Sequence, residues 1–246
     1  FLRRSNDVIP EILGRVDDAE PDERDVTYPT VCPACGAPTE FRGANLYCTG
    51  RDCKPRIVVG LAHFASRDAM DIETFSEKTA ELFHDELGVR DPADLYSLEH
   101  ERLILLPGMG DKKASNLLSA IEKSKTRPLD AFLFALGVPG VGRKTARDVA
   151  RKFGTLEKIR EADETTLAEI PDVGDIIAQN IVEFFRDEEQ IASIERMLAA
   201  GVTPAPVETA ADGVFSGKTV VVTGTLSGFT RQQAEAEIEK RGGKAA

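Results

Sequence analysis

A five-residue phrase recurs at a fixed interval, and nothing else in the sequence restricts the fold as tightly. Leu106-Pro107-Gly108-Met109-Gly110 returns as Val138-Pro139-Gly140-Val141-Gly142 and again as Ile170-Pro171-Asp172-Val173-Gly174, each time 32 residues further on. Four residues after the last glycine stands an alanine (Ala114, Ala146, Ala178). Seven after it stands an aliphatic residue (Leu117, Val149, Ile181), which is the spacing of one helix face. A repeat of this length with a helix in every copy describes stacked units that bury their apolar faces against one another. A fourth copy upstream keeps the helix face in Ala80 and Phe83, but Thr74 and Ser76 replace the glycines. Its scaffold is expected to match and its loop is not.

The phrase has a chemical meaning. Proline ends the preceding helix, the first glycine allows a backbone conformation closed to other residues, and the second glycine opens the next helix. This is a helix-hairpin-helix. The first N–H groups of its second helix have no intrahelical partner and carry partial positive charge, so they hold a phosphate oxygen without reading a base. The alternative is a helical stack whose turns merely reverse direction, and charge separates the two. Between Arg102 and Lys158 stand 12 basic residues against five acidic ones, a local excess of seven, although the whole chain carries −11. Gly108, Gly110, Lys112 and Lys113 in the second hairpin, with Gly140, Gly142, Arg143 and Lys144 in the third, are therefore expected to hold double-stranded DNA irrespective of sequence. Arg147 and Gly174 are expected to contribute less. In the fourth hairpin Asp172 and Asp175 would repel a phosphate, so the first and fourth copies are expected mainly to complete the fold.

All four cysteines fall within 22 residues, as Cys32, Cys35, Cys48 and Cys53. Two close pairs about a dozen residues apart are the pattern of a tetrahedral zinc site, with Pro33, Gly36 and Gly50 supplying the turns. Two disulfides in a secreted module are the alternative, disfavoured because stapled chains seldom confine every cysteine to one cluster. Four thiolates leave no position for water, so the metal is expected to be structural.

The 246 residues, 41% hydrophobic and 30% charged, fit a globular chain of more than one domain. No apolar run approaches the roughly 18 residues of a membrane span, and the expectation is a cytoplasmic monomer. Residues 1–25 read as the strand-bearing end of one domain plus an acidic linker, residues 26–60 as the zinc finger, and residues 61–203 as the four-copy hairpin domain. Residues 204–213 read as a second linker rich in Pro, Ala and acids. Residues 214–246 read as the β-strand and helix that open an α/β domain, with Lys218 to Gly224 as the strand and Thr230 capping the helix. Gly213 to Thr219 is similar to a phosphate-binding loop, but its glycine spacing is short and it leads into a strand, so nucleotide binding there is rejected. Both ends read as cut. The fold class is thus mainly α, with small β elements at the finger and at each end.

Zinc knuckles, four hairpins and a β-α start in this order resemble the C-terminal half of bacterial-type NAD-dependent DNA ligases. Asn6 to Pro10 is similar to the end of that family's OB-fold domain, and Cys32-Pro33-Ala34-Cys35-Gly36 with Cys48-Thr49-Gly50 to its zinc finger. His63 to Ile72 is similar to the entry of its helical domain, and Phe215 to Gly224 to the opening of its BRCT domain. The resemblance implies nick sealing in replication and repair, with NAD and Mg²⁺ as cofactors and nicked duplex as partner. It also implies that the adenylated lysine lies in a K-x-D-G motif. No Lys-x-Asp-Gly occurs in these 246 residues, so no catalytic residue is expected in this chain and sealing by it alone is not. The alternative is a non-enzymatic hairpin module that binds DNA or scaffolds repair.

Overall fold

The computed structural model describes residues 2–5, 9–13, 27–207, 214–215, 218–224, 228 and 230–245. The acidic stretch expected at 17–25 and the linker residues 208–213 lie outside them. The chain divides into two units, Phe1–Gly50 and Arg51–Ala246.

In the first unit β1 (Leu2–Ser5) pairs antiparallel with β2 (Ile9–Ile12). A second antiparallel pair joins β3 (Thr39–Arg42) to β4 (Asn45–Cys48), with Thr39 opposite Cys48 and Arg42 opposite Asn45. The two-residue turn between them needs a positive φ at its first position, and Gly43 supplies it at +61°.

The second unit is helical. In order come α1 (Lys54–Ala65), α2 (Glu77–Leu87), a 3₁₀ turn (Pro92–Ser97), α3 (His100–Leu103), α4 (Asp111–Ser124) and α5 (Leu129–Ala135). There follow α6 (Arg143–Phe153), α7 (Leu156–Glu161), α8 (Glu164–Ala168), α9 (Asp175–Phe184) and α10 (Glu188–Ala199). Each repeat phrase joins two helices, α3 to α4, α5 to α6, and α8 to α9, and the upstream copy joins α1 to α2. The face read from the repeat is the buried one. Ala80, Ala114, Ala146 and Ala178 are all fully buried, and Phe83, Leu117, Val149 and Ile181 are at most 3% exposed. An alanine on that first turn lets the crossing helix approach closely, and the larger residue one turn later fills the gap. Phe132 and Phe185 are buried in the same core and Phe134 and Phe184 half-buried against it. His63 packs on the Phe134 ring and shares a hydrogen bond with its carbonyl at 2.8 Å.

After α10 the chain returns beside the α4–α5 connection. Thr203 N–H donates to the Lys125 carbonyl, Ala205 N–H to that of Arg127, and Leu129 N–H to that of Ala205. The expected linker thus begins with residues hydrogen-bonded to the helices. Farther on, β5 (Thr219–Val220), α11 (Arg231–Lys240) and β6 (Lys244–Ala245) form a β-α-β unit with parallel strands. Thr230 caps α11 in a reciprocal box with Gln233. The strand is two residues long where seven were expected, and it pairs with the two residues of β6.

One charged cluster ties α10 to the 3₁₀ turn. Asp94 accepts the N–H groups of Arg90 and Asp91 at 2.9 and 3.0 Å and the Arg196 guanidinium at 2.8 Å. Burial pushes the Asp94 carboxyl up, but these donors together outweigh it and hold it below the usual carboxylate range. A depressed carboxyl stabilises the native state fully above its unfolded value near 4, and the contribution fades as pH falls through the lower native value. Asp94→Asn is expected to destabilise the protein by about 1–3 kcal/mol at pH 7. The difference from the parent should shrink on thermal melts taken down to about pH 3, and an unchanged difference would contradict this account.

Candidate nucleic-acid interface and metal centre

The sulfur atoms of Cys32, Cys35, Cys48 and Cys53 all lie within 4.8 Å of one another, with Cys35 and Cys48 3.4 Å apart. Zinc–sulfur bonds of 2.3 Å place the corners of a tetrahedron about 3.8 Å apart, so the set fits one zinc ion. The first knuckle is tied by Gly36 N–H donating to the Cys32 carbonyl at 2.8 Å and Cys32 N–H donating to the Ala37 carbonyl at 2.7 Å, with Gly36 at φ +74°. Cys48 ends β4 and accepts the Gly50 N–H at 3.2 Å, while Cys53 stands at the N-cap of α1. A side chain at Gly50 would sit 2.9 Å from the Cys35 sulfur and 3.3 Å from that of Cys48, so glycine there is a condition of the cluster closing. The backbone N–H groups of Ala34 and Cys35, with smaller help from the neighbouring thiols, outweigh burial and bring the Cys32 thiol down to about 7. These N–H groups favour the thiolate that a metal needs.

The four hairpins share one backbone. At the third position φ is +70° at Gly108, +79° at Gly140, +66° at Asp172 and +69° at Thr74. A turn hydrogen bond closes each loop, from Met109 to Leu106, Val141 to Val138, Val173 to Ile170 and Phe75 to Ile72, at 3.0–3.3 Å. The last of these corrects the expectation for the upstream copy, whose loop does match. Two buried apolar anchors, Ile72 and Phe75, hold Thr74 in a conformation that glycine would adopt unstrained.

What differs is how the following helix begins. The N-cap residues Gly110, Gly142 and Gly174 all have φ near −82° and extended ψ, and none has a side chain to satisfy the first amides of α4, α6 and α9. In the upstream copy Ser76 accepts the Thr79 N–H and closes that end. Asp163 and Asp187 do the same for α8 and α10. The three glycine-led helices therefore present open amides at exposed loops.

The cations around those amides fall into two groups. Lys112 and Lys113 are exposed in the first turn of α4, and among the described residues neither pairs with a carboxylate; Lys113 reaches only the Gly108 carbonyl at 3.5 Å. In the third hairpin Arg143 pairs with Asp68 at 2.5 Å, and Lys144 pairs with Asp172. The hydrogen bond to Asp172 keeps the Lys144 ammonium above its usual range. Arg147, on α6, lies 3.8 Å from Asp130. Arg127 is structural, donating to the carbonyls of Ala69 and Arg67.

Residues 66–123 match the model of a SAM-like helix-hairpin-helix tandem, and residues 131–194 match that of a helix-hairpin-helix motif. Proteins named DNA ligase from Alkaliphilus metalliredigens and Alkaliphilus oremlandii are 50% and 49% identical to this chain over 99% of its length, and one from Clostridium novyi is 45% identical over all of it. The chain is homologous to DNA ligases. It spans 37% of the length of these relatives. Among its described residues no helix is long and apolar enough to cross a membrane.

In this DNA ligase homologue every candidate site residue read from the sequence lies on an exposed loop or a helix start, apart from the half-buried Arg147 and the cysteines. It missed Asp68 and Asp172 as partners of Arg143 and Lys144. No periodic signal announces a pair 75 residues apart.

Proposed function

We propose that this chain is the DNA-gripping portion of an NAD-dependent DNA ligase and clamps nicked duplex for phosphodiester formation in replication and repair. The reading rests on one observation above the rest: glycine-led helices whose first amides are open and exposed, with Lys112 and Lys113 unpaired beside the first of them. Each open end takes a phosphate oxygen through backbone N–H groups, and the cations add attraction that ignores base identity. Gly108, Gly110, Lys112 and Lys113 grip one stretch of backbone and Gly140, Gly142, Arg143 and Lys144 another, with Arg147 and Gly174 adding less. Cys32, Cys35, Cys48 and Cys53 hold a structural zinc ion that folds the finger. NAD would supply AMP, with Mg²⁺, in portions of the ligase outside these residues. The protein works as a cytoplasmic monomer in this reading.

Replacing Lys112 and Lys113 together by glutamine is expected to weaken binding to nicked duplex about 30-fold at 0.15 M salt and to lower the slope of log affinity against log salt by about two. Fluorescence anisotropy across a salt series measures both, and an unchanged slope refutes the assignment. Nick sealing after mixing with a separately expressed adenylation domain then separates the ligase reading from a non-enzymatic scaffold, which would bind DNA without restoring sealing.

A further inference from the structure

The second and third hairpins are alike in backbone and opposite in electrostatics. Lys112 and Lys113 face solvent and, among the described residues, neither forms an ion pair with a carboxylate, the adjacent Asp111 lying against His100. Arg143 and Lys144, at the same helix start in the next repeat, each lie against a carboxylate from a distant part of the chain. Asp68 comes from the turn after α1, and Asp172 from the tip of the fourth hairpin. All four side chains are at least half exposed, at 50–69%, so neither pair is shut away from a ligand. The fourth loop is held beside the third by packing and hydrogen bonding. The site of a Cβ on Gly140 lies 3.2 Å from Ile177, and Asn180 donates to the Pro139 carbonyl at 3.0 Å. Asp172 is thereby carried to Lys144, and Asp148 adds further negative field there.

Resting on the DNA-gripping reading, we propose that Asp68 and Asp172 act as internal substitutes for phosphate, so that the third hairpin takes hold of DNA by exchanging carboxylate for phosphate. Two consequences follow from Coulomb's law with screening. The exchange weakens binding in dilute salt, because an existing pair must open. It also flattens the salt response of this hairpin, because salt weakens the pair that breaks along with the pair that forms. The second hairpin has no such offset. The two acids thus set how binding by this face responds to ionic strength.

A double-mutant cycle on the whole 246-residue chain tests this, with a labelled nicked duplex of arbitrary sequence as probe and anisotropy read from 0.05 to 0.5 M KCl. Asp172→Asn keeps the left-handed loop, which asparagine tolerates. It is expected to tighten binding about two- to fivefold at the lowest salt and to steepen the salt slope by up to about one. In a Lys144→Gln background the same substitution is expected to have a much smaller effect. The Asp68→Asn and Arg143→Gln cycle is an independent copy of the test. If Asp172→Asn helps equally with and without Lys144, or not at all while K112Q/K113Q still weakens binding, the exchange is refuted and the DNA reading stands. If the parent chain does not bind the duplex, both fall together.

Discussion

Stripping zinc from this protein is expected to abolish ordered structure in residues 27–50 while the helices from α2 to α10 keep their circular-dichroism signal. The β3–β4 pair has four residues per strand, and its Phe41 and Tyr47 side chains are 55% and 45% exposed. A two-stranded pair with so little burial does not hold itself together in water. Zinc bound to four thiolates contributes on the order of 10–16 kcal/mol at pH 7, far more than the hairpin's own contacts. Cys53 stands at the N-cap of α1, and the helices beyond it have an apolar core of their own. Cys35→Ser should reproduce the effect without a chelator, and Gly50→Ala should weaken zinc retention by forcing apart the Cys35 and Cys48 sulfurs. Zinc and protons compete for the thiolates, so retention should fall as pH drops below neutrality. Metal content and amide NMR signals of residues 27–50 report the result. A metal-free protein that kept those signals dispersed would show that the cluster is not what folds the finger.

The features legible in the sequence were those fixed by local rules. Helix periodicity puts Ala114 and Leu117 on one face wherever the helix ends up, and a proline-glycine pair demands the same turn in any fold. Cysteine spacing likewise carries its own geometry. The first hairpin shows the limit of such rules. Thr74 is a poor choice for φ +69°, and the burial of Ile72 and Phe75, with the turn hydrogen bond between them, holds it there. Tertiary packing overrode a local preference that the sequence alone could not price. The charges show it again. Lys112 and Lys144 look identical in their repeats, yet one is free among the described residues and the other is matched by Asp172. That difference depends on which loop arrives beside it, and the third loop's contacts with Ile177 and Asn180 of α9 set that arrival. In the fourth hairpin, which the sequence expects to repel phosphate, Asp172 also pairs with Lys144 of its neighbour.

The same packing makes two glycines in equivalent positions respond differently to substitution. Gly108 has nothing within 4 Å of where a Cβ would stand, whereas at Gly140 that position is 3.2 Å from Ile177 and 3.8 Å from Asn180. Both adopt a left-handed φ, so valine at either site incurs backbone strain of about 1–3 kcal/mol. At Gly140 the branched side chain must also displace Ile177 and endanger the Asn180 hydrogen bond to Pro139, which adds roughly 1–3 kcal/mol of overpacking. Gly140→Val is therefore expected to lower the melting temperature by roughly 5–15 °C and Gly108→Val by about half as much, given 2–4 °C per kcal/mol for a chain of this size. DNA binding should separate them in another way. Gly108→Val disturbs only its own loop, so it should weaken binding while leaving the Lys144–Asp172 pair and its salt signature in place. Gly140→Val moves the two hairpins apart and should erase both. Equal melting shifts for the two variants would mean that the third loop does not lean on α9, and the route by which Asp172 reaches Lys144 would need another explanation.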